Sequence, residues 1–160
     1  MWSILSILVE NKPGILFKIT HMFRSRNFNI DSISVGVTDD PNLSRMTITT
    51  YSDEKQTKQI VKQLDKMIDV LEVEQLDEQR TFYRELAIFK IHISDANASM
   101  EINKLAMTYG GKVHNVRSKS VIVELTATPH QINSFEDIVR PFGIINSART
   151  GVAAVERSTS

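Results

Sequence analysis

Trp2-Ser3-Ile4-Leu5-Ser6-Ile7-Leu8-Val9 runs through Glu10-Asn11-Lys12-Pro13-Gly14 into Ile15-Leu16-Phe17-Lys18-Ile19-Thr20-His21-Met22-Phe23, and the period of the apolar residues changes at the turn. Before the turn the residues are β-branched and aliphatic, as in a strand. After it, Ile15, Leu16, Ile19, Met22 and Phe23 recur at helical spacing, so one face of a helix is apolar. Asn, Pro and Gly between them are turn punctuation. Outward from this unit the period changes again. Ile33, Val35 and Val37 alternate with Ser32, Ser34 and Gly36, a second strand. Asp39-Asp40-Pro41-Asn42 is a turn, since Asp and Asn bond their own backbone and Pro presets φ. A third strand, Leu43 to Tyr51, sets Met46 and Ile48 opposite Arg45, Thr47 and Thr49. Asp53 with Gln56 is a variant capping box that opens a helix carrying Ile60, Val61, Leu64, Met67 and Ile68 on one stripe. A strand around Leu71 and Val73 completes β-α-β-β-α-β.

After a polar connector, Leu76 to Thr81, the same grammar returns. Leu86 to Ile93 reads as a strand. Ile102, Leu105, Ala106 and Tyr109 form a helical stripe that Gly110-Gly111 ends with a left-handed cap. Strands follow at Val113 to Arg117 and Val121 to Thr126. Thr128-Pro129-His130-Gln131 then starts a helix with a hydroxyl cap and Pro at the first position. Its stripe is Ile132, Phe135, Ile138, Val139 and Phe142; Gly143 stops it, and a last strand runs from Ile144 towards Val152. The expected fold is therefore α/β of the α+β kind: two ferredoxin-like βαββαβ domains, residues 1–76 and 82–160. Each is a four-stranded antiparallel sheet with two helices on one face. A bare sheet face and open edges favour pairing with a second copy.

Lys plus Arg number 19 and Asp plus Glu 19, so the net charge is zero. Nucleic-acid and anionic-membrane partners draw on an excess of cations, so neither is expected. The third strand also lacks the aromatic RNP1 pattern of ferredoxin-like RNA binders. There is no cysteine, which removes disulfides, thiolate nucleophiles and sulfur-ligated metals and fits a cytoplasmic protein. Trp2 to Val9 is too short to span a bilayer and lacks the basic start of a signal peptide. His21, His92, His114 and His130 have no metal-site spacing, and no nucleophile motif occurs, so no catalytic, metal or cofactor-binding residue is assigned. Gly110-Gly111-Lys112 has the composition of a phosphate loop but ends a helix instead of opening one.

Two places could hold a ligand. Asn11, Lys12, Pro13 and Gly14 precede a helix whose unpaired amides and positive dipole end suit a carboxylate, and Asn11 offers both donor and acceptor. Gly14 lets a ligand approach the backbone. Taken alone, a plain strand-to-helix turn explains these residues better. Asn29, beside Ile30 at the start of the second strand, is unusual there, and a capping role explains it equally well.

The stretch Ile4 to Leu16 resembles the opening of the small, regulatory subunit of acetolactate synthase (acetohydroxyacid synthase). Phe28-Asn29-Ile30-Asp31-Ser32-Ile33-Ser34-Val35 is similar too, as are Thr38-Asp39-Asp40-Pro41-Asn42-Leu43-Ser44-Arg45-Met46-Thr47-Ile48 and the ending Ala148-Arg149-Thr150-Gly151-Val152. The Thr38 to Ile48 stretch is the most specific. The resemblance implies that the first domain is an ACT domain binding a branched-chain amino acid, usually valine, as end-product inhibitor. It implies a homodimer through the ACT domains, with the effector between Asn11, Lys12, Pro13, Gly14, Ile15 and Leu16 of one protomer and Asn29 and Ile30 of the other. The partner implied is the large catalytic subunit, which carries thiamine diphosphate, magnesium and FAD, leaving no cofactor on this chain. Asn27 stands where the family often has Gly. Two competitors are a free-standing ACT-type sensor acting on another enzyme or a transcription factor, and an acylphosphatase-like enzyme. The latter needs an Arg where this chain has Lys12. An Asp at position 14 is expected to fold as in any helix's first turn, on condition that Gly14 is not at positive φ.

Overall fold

The computed structural model describes residues 1–158; the last two residues of the expected second domain, 159–160, lie outside them. The element order is β1 (Trp2–Glu10), α1 (Ile15–Ser25), β2 (Ser32–Val37), β3 (Leu43–Tyr51), α2 (Glu54–Asp65), β4 (Val70–Leu76), β5 (Thr81–His92), α3 (Ala96–Thr108), β6 (Lys112–His114), β7 (Ser120–Ala127), α4 (Pro129–Val139) and β8 (Ile144–Glu156). Two four-stranded antiparallel sheets form, in the orders β2-β3-β1-β4 and β6-β7-β5-β8. The doubled βαββαβ arrangement expected from the periodicities is present. The chain divides into two compact units. Among the described residues, one holds Met1–Tyr83 together with Gly151–Ser158; the other is Arg84–Thr150.

In the first unit, β1 sits centrally between β3 and β4. Its register pairs Leu5 with Ile48 and Ile7 with Met46, which puts these apolar residues on one face. They pack against Ile15, Ile19 and Phe23 of α1 and Ile60 and Leu64 of α2, all buried. On the other face Ile4 is buried with Leu76, Tyr83 and Val152. The chain's end thus covers part of a face that the sequence pattern left bare, as Arg157 N donating to Arg80 O (2.7 Å) and the Arg80–Glu156 ion pair (3.4 Å) also show. In the second unit Phe89, Ile91, Val123 and Leu125 of the sheet pack against Ile102, Ile132 and Phe135.

Local chemistry sets the ends of elements. Asp53 Oδ1 accepts from Gln56 N at 2.7 Å, and Gln56 Oε1 accepts from Asp53 N at 3.3 Å, a complete capping box. Thr128 and Gln131 form the second one, with Pro129 behind it. Asp53→Ala removes an acceptor for orphan helix amides and should cost about 1 kcal/mol. Urea unfolding followed by Trp2 fluorescence, which reports on the same unit, measures it; a midpoint unchanged from the wild type would contradict it.

Several expectations need correction. The strand expected at Val113 to Arg117 covers only Lys112–His114, because Asn115 adopts a left-handed φ of 46° and ends the pairing. The strand expected from Leu86 starts at Thr81, and a 3₁₀ turn, Glu78–Arg80, occupies the connector. Ile138 is 43% exposed, outside the buried stripe of α4. The expected second strand is present as β2, an edge strand on which Val35 and Val37 are 48% and 59% exposed. Among the described residues no helix is long and apolar enough to cross a membrane.

Candidate functional site

α1 begins without a side-chain cap. Gly14 precedes it at φ 86°, ψ −5°, and no side chain accepts from its first-turn amides. A Cβ built on Gly14 would meet nothing within 4 Å, so the approach to the helix end is open. The positive φ corrects the condition set above: a side chain here is strained, whatever the space. Leu16 and Phe17 flank the opening on the outside, 47% and 70% exposed, and Phe17 stacks on His21 at 5.8 Å. Ile15 turns the other way and belongs to the core.

The turn is buttressed by the β2–β3 connection. Asn11 N donates to Asn42 O at 2.8 Å, and Asn11 Nδ2 donates to Pro41 O at 3.0 Å. The connection is itself tied by Asn42 N to Asp40 Oδ1 (2.9 Å) and Asp40 N to Thr38 Oγ1 (3.1 Å). Thr38 to Asn42 therefore fixes the carbonyls that grip Asn11, a supporting role that its reading as a plain turn missed. The signal was available: an Asx residue bonding two residues on is the mark of such a clamp.

Charge around the helix start is paired. Lys12 Nζ lies 2.6 Å from Glu10 Oε2, and that hydrogen bond holds the ammonium pKa above its ordinary value. Lys18 Nζ donates to Asp69 Oδ2 at 2.8 Å, which holds the Asp69 carboxyl below the usual range against the opposing effect of burial. Lys12 thus stays cationic at neutral pH on an exposed turn, next to the positive end of the helix dipole.

Asn29 and Ile30 follow the far end of α1. Asn27 takes φ 58°, the left-handed conformation that Asn tolerates, so it serves where a Gly would. Phe28 N donates back to Phe23 O at 2.8 Å, closing the helix. The Asn29 carbonyl accepts from the buried Thr50 hydroxyl at 2.6 Å, which leaves its side chain exposed. Asp31 accepts from Thr49 Oγ1 (3.0 Å) and Trp2 Nε1 (3.2 Å), and Ser32 bonds the Thr49 hydroxyl. A hollow of about 260 Å³ opens here, lined by Thr20, Arg24, Asn27, Asn29 and Ile30 among others. Asn11 to Leu16 and Asn29–Ile30 thus lie at opposite ends of α1, an 11-residue helix about 16 Å long at 1.5 Å per residue. One chain does not bring the two segments together.

The histidines stay on separate elements: His21 on α1, His92 on β5, His114 on β6 beside Glu124, and His130 on α4. Among the described residues no group of three or more His, Asp or Glu could hold a metal ion.

Two family models match, together spanning almost all of the chain. Residues 5–72 match the acetohydroxyacid synthase small-subunit-like ACT domain, and residues 84–158 match the small subunit of acetolactate synthase. The probable acetolactate synthase small subunit of Methanothermobacter thermautotrophicus is 38% identical, over 98% of this chain and 93% of that one. The acetolactate synthase small subunit of Bacillus subtilis is 36% identical, over 99% of this chain and 92% of its own length. The crystal structure of the Thermotoga maritima acetolactate synthase small subunit superposes with a TM-score of 0.90 at 32% identity, covering 100% of this chain and 99% of that one. On these matches, which run nearly the length of the chain, it belongs to the acetolactate synthase small-subunit family.

Proposed function

We propose that this chain is a non-catalytic regulatory subunit. It activates the large catalytic subunit of acetolactate synthase in the cytoplasm and makes it subject to feedback inhibition by a branched-chain amino acid, valine foremost. The observation that carries this reading is the open, uncapped start of α1 in a chain of this family. Its amides, its dipole and the cationic Lys12 suit a carboxylate, and the exposed Leu16 supplies apolar surface for an aliphatic side chain. Residues 1–76 act as the effector domain and residues 82–160 as the second domain. Thiamine diphosphate, magnesium and FAD belong to the catalytic partner.

The separation of the two half-sites supports a shared site. A zwitterion cannot touch both ends of one α1, so Asn11 to Leu16 of one protomer would face Asn29 and Ile30 of the other. The open edge of β2, with Val35 and Val37 exposed, offers the surface for such a homodimer. Inhibition then requires that the effector bind the inhibited arrangement more tightly than the active one.

The test pairs calorimetry with reconstitution. The purified chain should bind valine, leucine or isoleucine, and dilution below the dimer constant should weaken binding. Alone it should form no acetolactate from pyruvate; mixed with the catalytic subunit it should raise the rate, and the bound amino acid should lower it again. Pyruvate turnover by the isolated chain, or a strict monomer binding valine at full stoichiometry, would overturn this assignment.

A further inference from the structure

Gly151 is buried at φ 86°, and a Cβ there would stand 2.9 Å from Ile33 O, 3.2 Å from Ile33 C and 3.4 Å from Ser34 Cβ. The first two contacts are with backbone, which cannot swing aside as a flexible side chain can. One residue further on, Val152 is 1% exposed against Ile4, Leu76 and Tyr83, which holds the strand within the same unit.

Ile33 lies in β2, the edge strand that continues directly from Asn29–Ile30. β2 is paired on one side only, to β3, and Ile33 also packs against the first unit's core. We propose that Gly151 is a positioning residue of the effector half-site at Asn29–Ile30: the chain's end, bare of a side chain at this point, seats β2 by pressing backbone against Ile33. Regulation would then depend on a residue far along the chain that touches no effector. This rests on the regulatory reading above for its functional consequence, though the seating of β2 is a property of the chain alone.

The experiment compares Gly151→Ala with Gly110→Ala in the full-length chain. Gly110 is likewise left-handed, at φ 73°, but a Cβ there meets nothing within 4 Å, so it reports backbone strain without the collision. Amide exchange over Ser32–Val37, without any amino acid present, should quicken in Gly151→Ala and not in Gly110→Ala. Valine binding by calorimetry should weaken about fivefold or more in the first variant only. Should Gly151→Ala fail to fold, Val152→Ala keeps the glycine and loosens the strand's hold on Ile4, Leu76 and Tyr83, and it should speed exchange at Ile33 and Ser34. Wild-type exchange in β2 for these variants overturns the proposal. A wild-type chain that binds none of valine, leucine and isoleucine overturns the regulatory reading instead, and the exchange data still decide the seating of β2.

Discussion

Gly14→Asp is expected to weaken effector binding roughly tenfold to hundredfold and to release the reconstituted synthase from feedback inhibition, while activation persists. The substitution puts a negative charge at the positive end of α1, where the effector's carboxylate would sit, and replaces open space with a side chain. Losing one charge-assisted hydrogen bond costs about 1.5–3 kcal/mol, which is the origin of that range. Because Gly14 is at φ 86°, the variant also carries left-handed strain of about 1–2 kcal/mol, less for Asp than for most residues. Gly14→Asn carries nearly the same strain and shape without the charge, so the difference between the two isolates the electrostatic part. The measurement is acetolactate formation over a valine titration. An inhibition curve unmoved by Asp, in a protein that is still dimeric, would show that the Asn11 to Gly14 turn is not the effector site. Asn29→His should act in the same direction from the other end of α1.

Arg149→Met should lower the stability of the second unit by about 3 kcal/mol, the low end for one partner removed from a buried ion pair. Glu85 is 5% exposed and takes a two-pronged bond from Arg149, whose own side chain is 28% exposed and also bonds Asn133 Oδ1 at 2.6 Å. Without the guanidinium, Glu85 is a buried carboxylate with no countercharge, and partial access of water to the site limits the loss. Hydrogen exchange of the β5 amides reads the change within the second unit, whereas Trp2 fluorescence reports on the first. Adding Glu85→Gln to the variant should restore much of the loss. A change below about 1 kcal/mol, the range of exposed pairs, would show that Glu85 is solvated.

The fold was largely legible because its signals are local. The strand-to-helix change of period at Gly14, the two capping boxes and the left-handed stop at Gly110 each depend on residues within a turn of one another. What depends on partners far along the chain was not legible. Thr47 and Thr49 alternate with Met46 and Ile48 like solvent-facing strand residues yet are buried, as is the neighbouring Thr50, with Thr50 bonding Asn29 O and Thr49 bonding Asp31. Val35 and Val37 look like core and lie exposed at a sheet edge. At the candidate site, residue types pointed to the helix start, while only the resemblance linked it to Asn29 and Ile30. The sign of φ at Gly14 was beyond reach, because Gly before a helix is compatible with either hand.

The first unit is discontinuous in sequence, and this orders its assembly. During synthesis the residues to Tyr83 emerge together, but the strand segment that buries Ile4 emerges only after all of Arg84–Thr150. Closing so long a loop in an unfolded chain costs roughly 4 kcal/mol in entropy. The folded second unit removes most of that cost beforehand. Its own Arg149–Glu85 fork and Thr150–Leu86 bonds fasten its two ends to each other, so the chain leaves the second unit close to where it entered. A nascent chain therefore has all four strands of its N-terminal sheet early and covers Ile4 last.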